Sequence, residues 1–223
     1  MALILCIETA TRSCSVALAK DGNLLQFKEE VSEQYSHSEQ LTHFIESLLK
    51  EQGIALSDLD AIAVSKGPGS YTGLRIGVST AKGLCYALDK PLIAISTLEA
   101  IASGMEKQCP NKVYCPMIDA RRMEVYTAFF QAGKQLTDIE AHIVETDSFS
   151  KMLAKEEVLF FGDGADKCQE IITHKNATFI PAVYPSAKDM VAVAQKAFVQ
   201  QQFEDVAYFE PYYLKDFVAG VKK

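Results

Sequence analysis

The residues best suited to chemistry lie in a glycine-rich segment between a predicted strand and a predicted helix, Ser65-Lys-Gly-Pro-Gly-Ser-Tyr-Thr-Gly-Leu-Arg-Ile-Gly77. Backbone amides at such a junction can bind an anion. The spacing matches neither a phosphate loop, which places Lys and Ser or Thr after its last glycine, nor a dinucleotide loop, which needs Gly-x-Gly-x-x-Gly. A kinase glycine loop would lie between two strands. The alternative to anion binding is a sharp turn with Ser70 or Thr72 as the helix N-cap.

Two carboxylates occupy similar turns in the two parts of the chain. Glu8 and Asp119 each follow a predicted buried strand. If the two turns meet at a cleft, the carboxylates can hold a hydrated Mg²⁺. Alternatively, each acid pairs with the arginine of its own turn, Arg12 or Arg122, because a planar guanidinium binds a carboxylate well.

The other reactive residue types argue against a transition-metal site or a nucleophile. The four histidines contain no His-x-x-x-His pair, and no serine has a histidine and an acid at an interpretable spacing. The six cysteines contain no Cys-x-x-Cys pair and lie mostly in apolar segments. This pattern predicts reduced core cysteines and a cytosolic protein.

Composition and charge restrict the function further. The chain has 223 residues, of which 48% are hydrophobic and 23% charged, so it can form a packed core. The formal net charge of −7 excludes a large electrostatic hold on nucleic acid by this chain alone. We find no signal-peptide pattern and no apolar run of ~18 residues, and we therefore expect a cytoplasmic protein.

The elements that position these residues form two similar halves. Each half opens with a predicted three-stranded meander, and 14 residues separate an acid from a turn glycine in both copies, Glu8 to Gly22 and Asp119 to Gly133. The third strand of the second meander is predicted at Leu136. The repetition favours a duplicated mixed sheet, although any two β-meanders look alike.

Two predicted helices follow the first meander. The first covers residues 37–52 and begins at a capping box of Ser36 and Glu39. The second covers residues 72–88 and contains the end of the glycine-rich segment.

The second helix carries small residues on one face. Gly73, Gly77 and Ala81 are four residues apart, and a glycine inside a helix costs about 1 kcal/mol against alanine. We therefore expect another helix to approach this face closely. The spacing leaves open whether that helix is 37–52 or belongs to another chain.

With these motifs the chain resembles the TsaB (YeaZ-like) family, which serves the bacterial machinery that installs threonylcarbamoyl on the tRNA adenosine adjacent to the anticodon. The resemblance covers almost the whole chain and is most specific in the glycine motif and in the Asp-Ala-Arg-Arg turn. The matching segments are Ile7-Glu-Thr-Ala-Thr11, His37-Ser-Glu-Gln-Leu41, 66–77, Ser96-Thr-Leu-Glu99, Asp119-Ala-Arg-Arg122, Glu124-Val-Tyr126, Tyr184-Pro-Ser-Ala187 and Glu210-Pro-Tyr-Tyr-Leu-Lys215.

The resemblance implies an α/β protein with the actin/sugar-kinase/Hsp70-like ATPase fold, a ribonuclease H-like fold of two duplicated mixed-sheet halves. Residues 1–104 would form an actin-like N-terminal half that carries the partner-binding helices. Residues 105–223 would form the C-terminal half, whose last helix or tail packs back on the first half.

The resemblance also implies a scaffold or activating subunit without catalytic activity of its own. Such a subunit binds a catalytic TsaD-like paralogue through helices 37–52 and 72–88, works with a TsaE-like ATPase and contacts tRNA indirectly. The same surface can alternatively join two copies, so the sequence leaves open whether the isolated chain is a homodimer or a monomer. The implied partner interface consists of Leu41, Ile45, Gly73, Leu74, Gly77, Val78 and Ala81. Replacing Gly77 with leucine would then leave the chain folded and abolish the complex.

Two family features of catalysis are replaced in this chain. Catalytic paralogues hold a metal with Asn-His-x-x-x-His where this chain has Thr97 and Ile101, which are not transition-metal ligands. ATP-binding members have a glycine where this chain has Ala10, and the added Cβ lies where a phosphate would approach.

The implied site is therefore a vestigial nucleotide cleft without metal or cofactor, in which ATP or ADP with Mg²⁺ enters only in the complex. Its expected residues are Glu8, Thr9, Thr11, Arg12, Asp119 and Arg122. The alternatives are an ATP-dependent phosphotransferase or hydrolase of the same fold, and a metallopeptidase.

Overall fold

The computed structural model describes residues 1–32 and 37–215, which form two mixed sheets. The strands of the first sheet are β1 (Leu3–Glu8), β2 (Ser13–Lys20), β3 (Asn23–Val31), β4 (Ala61–Gly67) and β5 (Leu92–Ser96), in the spatial order β3-β2-β1-β4-β5. The first three strands are antiparallel and form the predicted meander, whereas β4 and β5 run parallel to β1.

The second sheet has the spatial order β10-β7-β6-β11-β12, and a short hairpin, β8 and β9, pairs with β6. Its strands are β6 (Val113–Asp119), β7 (Glu124–Thr127), β8 (Phe130–Gln131), β9 (Lys134–Gln135), β10 (Glu140–Ile143), β11 (Val158–Phe161) and β12 (Ala177–Ile180). The prediction for its third meander strand was wrong: the strand that pairs with β7 is β10, and the turn at Gly133 instead closes the β8–β9 hairpin.

The α-helices of the described residues are α1 (His37–Gln52), α2 (Tyr71–Leu88), α3 (Thr97–Gln108), α4 (Ser150–Leu153) and α5 (Val191–Val199), with 3-10 turns at Leu56–Asp58, Asp166–Cys168 and Ala187–Met190. The predicted capping residue Ser36 lies outside the described residues. Within the described ranges, no helix has the length and apolar character needed to cross a membrane.

Strand β1 is buried on both faces because helices cover both sides of the first sheet. Leu5 and Ile7 pack in a core with α1 and α2, while Ile4 and Cys6 pack on the opposite face with α5. Although α5 comes near the end of the chain, it therefore packs on the first sheet.

Helix α3 packs against both sheets. Ala100 contacts the core between the first sheet and α5, whereas Leu98, Ile101 and Met105 contact residues of the second sheet. The predicted division between residues 104 and 105 falls inside this helix. The two halves thus share an element that holds them together.

The glycine face of α2 packs on a turn of its own chain. A Cβ at Gly73 would overlap the carbonyl oxygen of Thr9, and a Cβ at Gly77 would overlap the Thr9 hydroxyl. That hydroxyl donates a hydrogen bond of 2.8 Å to the carbonyl of Gly73. The close approach that the glycines predicted is real, but its partner is the turn after β1 and not a helix.

The predicted partner interface consists mostly of core residues. Its seven members all have little or no solvent exposure. Four lie in the core between the first sheet and the helices α1 and α2, two lie against the Thr9 turn, and Leu74 lies next to Gly67; the seven are Leu41, Ile45, Gly73, Leu74, Gly77, Val78 and Ala81. A second polypeptide can reach most of these side chains only by displacing the core; Ile45 is the exception, because it also lines a groove on the outer side of α1 and α2.

The same substitution at two glycines of α2 should change stability in opposite directions. Gly77→Ala is expected to lower the free energy of unfolding by about 1–3 kcal/mol, because the methyl group overpacks against Thr9. Gly83→Ala is expected to raise it by up to ~1 kcal/mol, because Gly83 is exposed and a Cβ there meets no atom within 4 Å. Urea denaturation of the two variants and the parent chain measures both changes, and equal stability of all three chains would contradict this packing.

Candidate functional site

A cleft of about 390 Å³ opens between the two halves. Turns after β1, β4, β6 and β11 line it, together with the end of the described chain. The lining residues are Ala10, Thr11, Arg12, Pro68, Gly69, Ser70, Tyr71, Thr72, Ile118, Asp119, Ala120, Arg121, Tyr126, Asp163, Tyr212, Tyr213, Leu214 and Lys215.

The first wall of the cleft is the junction between β4 and α2. Ser70, one of the two predicted N-caps, caps the helix by accepting a hydrogen bond from the amide of Gly73 at 3.3 Å. The Ser70 amide donates to the carbonyl of Ala10 at 2.6 Å. A Cβ at Gly69 would overlap this same carbonyl, so the glycine allows the two turns to touch.

Glu8 lies behind this wall and is fully buried. Its Oε1 accepts hydrogen bonds from the amide of Ala10 at 2.6 Å and from the hydroxyl of Ser65 at 2.7 Å. Its Oε2 has no hydrogen-bond partner among the described residues. Burial raises the pKa of Glu8 from 4.5 to about 7, although the two hydrogen bonds lower it.

The second wall of the cleft is the end of β6. Asp119 forms an ion pair with Lys167 and accepts a hydrogen bond from the amide of Arg121. Its own amide donates to Asp163 at 3.1 Å, and burial raises the pKa of Asp163 to about 6. Asp163 is not among the predicted site residues, because its Gly-Asp-Gly sequence after a strand is also common in ordinary turns.

The glycines on both sides of Asp163 serve packing. A Cβ at Gly162 would overlap the carbonyl of Met117, and one at Gly164 would lie 2.9 Å from the amide nitrogen of Asp119. Both glycines therefore let the turn after β11 lie directly against β6. This contact fixes the Asp163 carboxylate beside the Asp119 amide.

Three of the six predicted cleft residues line the cleft, namely Thr11, Arg12 and Asp119. Glu8 and Thr9 are buried behind it, and the exposed Arg122 lies outside it. The predicted Mg²⁺-binding pair of Glu8 and Asp119 is wrong, because Glu8 bonds to the protein interior. The alternative arginine pairs are also wrong, since the cation bound to Asp119 is Lys167.

The two positions at which the family resemblance leads us to expect metal-binding histidines in catalytic members lie on α3. Thr97 and Ile101 are both buried there. Over residues 1–32 and 37–215, no three or more His, Cys, Asp or Glu side chains are close enough together to hold a metal ion.

A second concavity lies on the outer side of α1 and α2. This groove, called here the helix groove, has a volume of about 400 Å³ and is lined by Thr42, Ile45, Glu46, Leu49, Lys50, Ile54, Leu56, Thr80 and Leu84. Next to it on α2, Gly83 is exposed with open space around it, and Tyr86 is 86% exposed. The outer side of α1 and α2 therefore presents an apolar groove and, outside its lining, an exposed helix backbone at Gly83.

Comparisons with known proteins agree on one family. A family model described as "TsaD: tRNA N6-adenosine threonylcarbamoyltransferase" matches residues 29–223. The "tRNA threonylcarbamoyladenosine biosynthesis protein TsaB" of Escherichia coli is 31% identical over 229 aligned residues, which cover 98% of this chain and 97% of the relative. The corresponding Bacillus subtilis protein is 33% identical over 76% of this chain and 74% of its own length.

Solved structures extend the comparison to the fold. A Pseudomonas aeruginosa protein described as similar to peptidase YeaZ has a TM-score of 0.86 and 29% identity, covering 96% of this chain and all of its own. Component A of the Acidaminococcus fermentans (R)-2-hydroxyglutaryl-CoA dehydratase shares the fold at a TM-score of 0.52 and 10% identity, over 91% of this chain and all of its own. The predicted two-sheet α/β fold of the actin/sugar-kinase ATPase class is confirmed.

Removing the buried carboxyl should change how stability depends on pH. The pKa of Glu8 in the folded protein, about 7, lies above its ordinary value of 4.5, so the folded state binds this proton more tightly. The stabilisation that the protonated Glu8 gives to the folded state is therefore fully present below pH 4.5, and it is lost as the pH rises through 7. Relative to Glu8→Gln, the parent chain should lose on the order of 3 kcal/mol of unfolding free energy across this window.

Urea denaturation at pH 5, 6, 7 and 8 checks this difference. Glu170→Gln is the matched control because that side chain is exposed, and it should follow the parent chain. A constant difference between the parent and Glu8→Gln at all four pH values would contradict the raised pKa.

Proposed function

The chain belongs to the TsaB family of tRNA threonylcarbamoyladenosine biosynthesis proteins, and we propose that it acts there as a non-catalytic scaffold or activating subunit. Its partner would be a TsaD-like protein that transfers threonylcarbamoyl to the tRNA adenosine adjacent to the anticodon. A TsaE-like ATPase would complete the machinery. Because the tRNA is the final substrate, we expect the complex to be cytoplasmic.

The observation that carries this proposal is the helix groove together with Gly83. The glycines at 73 and 77 are explained by contact with Thr9, whereas Gly83 has no internal neighbour that requires it. An exposed glycine inside a helix lowers stability by about 1 kcal/mol relative to alanine. A partner helix that approaches the α2 backbone closely would account for its presence.

The kind of partner follows from the family relationship. The family model that matches this chain carries the name of the transferase TsaD, so a TsaD-like protein and this chain are related and share the fold. A related protein presents its own pair of helices equivalent to α1 and α2. Two such pairs can meet about a pseudo-twofold axis, and a second copy of this chain can use the same surface as a homodimer.

The arrangement of the two carboxylates at the cleft supports a subunit without catalytic activity of its own. Glu8, the acid nearest the position of the ATP-binding turn, is buried and bonded to Ala10 and Ser65. Asp119 is paired with Lys167. Neither carboxylate is arranged to hold Mg²⁺ in the cleft, and no observation favours the alternative of an ATP-dependent phosphotransferase.

The tRNA would be held mainly by other subunits. The net charge of −7 gives this chain no large electrostatic attraction for a polyanion. We therefore expect its contribution to appear in the activity of the TsaD-like subunit and not in tRNA affinity.

Reconstitution tests the function directly. The chain is mixed with TsaD-like and TsaE-like proteins, tRNA, ATP and a threonylcarbamoyl donor, and modified adenosine is quantified by mass spectrometry. We expect product only when the chain and the TsaD-like protein are both present. Product formed by the chain alone, or equal product without it, would refute the proposal.

A bulky residue at Gly83 should block partner binding without unfolding the chain. Gly83→Leu fills the space above α2, and we expect the dissociation constant for the TsaD-like protein to rise about tenfold or more, because overpacking a close contact costs about 1–3 kcal/mol. Isothermal titration calorimetry gives the affinity, and thermal unfolding verifies the fold.

The matched control for this variant is Gln108→Leu, an exposed helix position on α3. It should bind the partner like the parent chain. If Gly83→Leu binds as tightly as this control, the helix groove and its surroundings are not the docking surface.

A further inference from the structure

The segment after α5, residues 204–215, follows a defined path over both halves of the protein. It begins beside the first sheet, where the amide of Glu204 donates to the carbonyl of Leu92 in β5 at 2.9 Å. Val206 and Phe209 then pack against the core formed with α1 and α2. We call residues 204–215 the C-terminal segment.

The C-terminal segment continues along α2 towards the beginning of that helix. The ammonium group of Lys82 donates hydrogen bonds to the carbonyls of Ala207 at 3.2 Å and Phe209 at 2.8 Å. Farther on, the amide of Tyr212 donates to the carbonyl of Lys66 at 2.7 Å. The segment therefore runs antiparallel to α2 over much of its length.

The contacts become denser where the C-terminal segment reaches the cleft. The ring of Tyr213 lies 4.8 Å from the ring of Tyr71, and its hydroxyl accepts a hydrogen bond from Arg75 Nε at 3.1 Å. The Arg75 guanidinium also lies over the ring of Tyr71, with its carbon 4.1 Å from the ring centroid. These three residues form a stacked group at the start of α2.

The last two residues of the C-terminal segment reach the other half. Leu214 and Lys215 line the cleft, and Lys215 forms an ion pair with Glu124 at the start of β7. The segment is thus bonded to α2 in the first half and to the second sheet across the cleft.

We propose that the C-terminal segment is a latch that spans the cleft and holds the two halves in their closed position. Helix α3 joins the halves through the packing described above. The latch supplies a second connection on the side of the cleft. In two-lobed proteins a bound ligand often bridges the lobes, and here part of the chain itself makes the bridge. The latch does not depend on the proposed role in tRNA modification.

Release of the latch should increase the separation of the halves. The test uses Ser79→Cys and Arg122→Cys, exposed positions in different halves, in a Cys109→Ser background, because the other five cysteines are buried. Spin labels at the two sites report the distance distribution by pulsed electron resonance. A chain that ends at Phe209 lacks Tyr212 to Lys215, and it should show a longer or broader distribution than the intact chain.

Two controls separate loss of the latch from other effects. A chain that ends at Lys215 keeps every contact described and should match the intact chain. In the intact chain, Tyr213→Phe combined with Lys215→Met removes the hydrogen bond to Arg75 and the ion pair with Glu124. This double variant should shift the distribution in the same direction, whereas Tyr208→Phe with Lys155→Met, at exposed positions, should not.

The double variant also keeps the test decisive if the shortened chain fails to fold. Identical distance distributions in the intact chain, the shortened chain and the double variant would overturn the proposal. If the shortened chain is unfolded, the double variant decides alone: a distance distribution equal to that of the intact chain would overturn the proposal.

Discussion

The structure depends on the close contact between α2 and the turn after β1. Because Gly73 and Gly77 lack side chains, the helix lies directly on Thr9, and the Thr9 hydroxyl bonds to the helix carbonyl of Gly73. This contact buries one face of α2 and holds the turn that covers Glu8. It also leaves the other face of α2 exposed, with the helix groove on one side and the C-terminal segment on the other. One contact therefore determines which faces of α2 are buried and which are exposed.

The same contact keeps the Glu8 carboxylate out of the cleft. A carboxylate at the end of β1 could serve a bound cation only if it faced solvent. In this chain Glu8 faces inward, bonds to Ala10 and Ser65, and has its pKa raised to about 7 by burial. The carboxylates that line the cleft are those of Asp119, which is paired with Lys167, and Asp163, which accepts a hydrogen bond from the Asp119 amide. The cleft therefore keeps the opening between the two halves, while the carboxylate at the end of β1 is not exposed to it.

The sequence predicted the elements of the first half well, but it did not predict which way the faces of the helices point. The meander, the helix over residues 37–52 and the helix starting near residue 72 were predicted within one residue of α1 and α2, because apolar periodicity and glycine turns are local signals. Spacing also showed that Gly73 and Gly77 share a face. It could not show that this face points inward, because the atoms it contacts belong to Thr9, 64 residues before Gly73 in sequence. The burial of Glu8 and the path of residues 204–215 depend on similarly distant contacts.

The orientation of α2 explains two of the glycines in its interior and leaves the third without an explanation from the fold. Two of the three glycines in its interior are required by the fold, since any side chain at 73 or 77 would overlap Thr9. The third, Gly83, weakens the isolated helix and satisfies no contact within the described chain. A feature that lowers the stability of the free protein persists most readily when the bound state uses it. Lys82, which bonds to the carbonyl of Phe209, directly precedes Gly83, so the proposed docking surface and the proposed latch lie on adjoining faces of one helix.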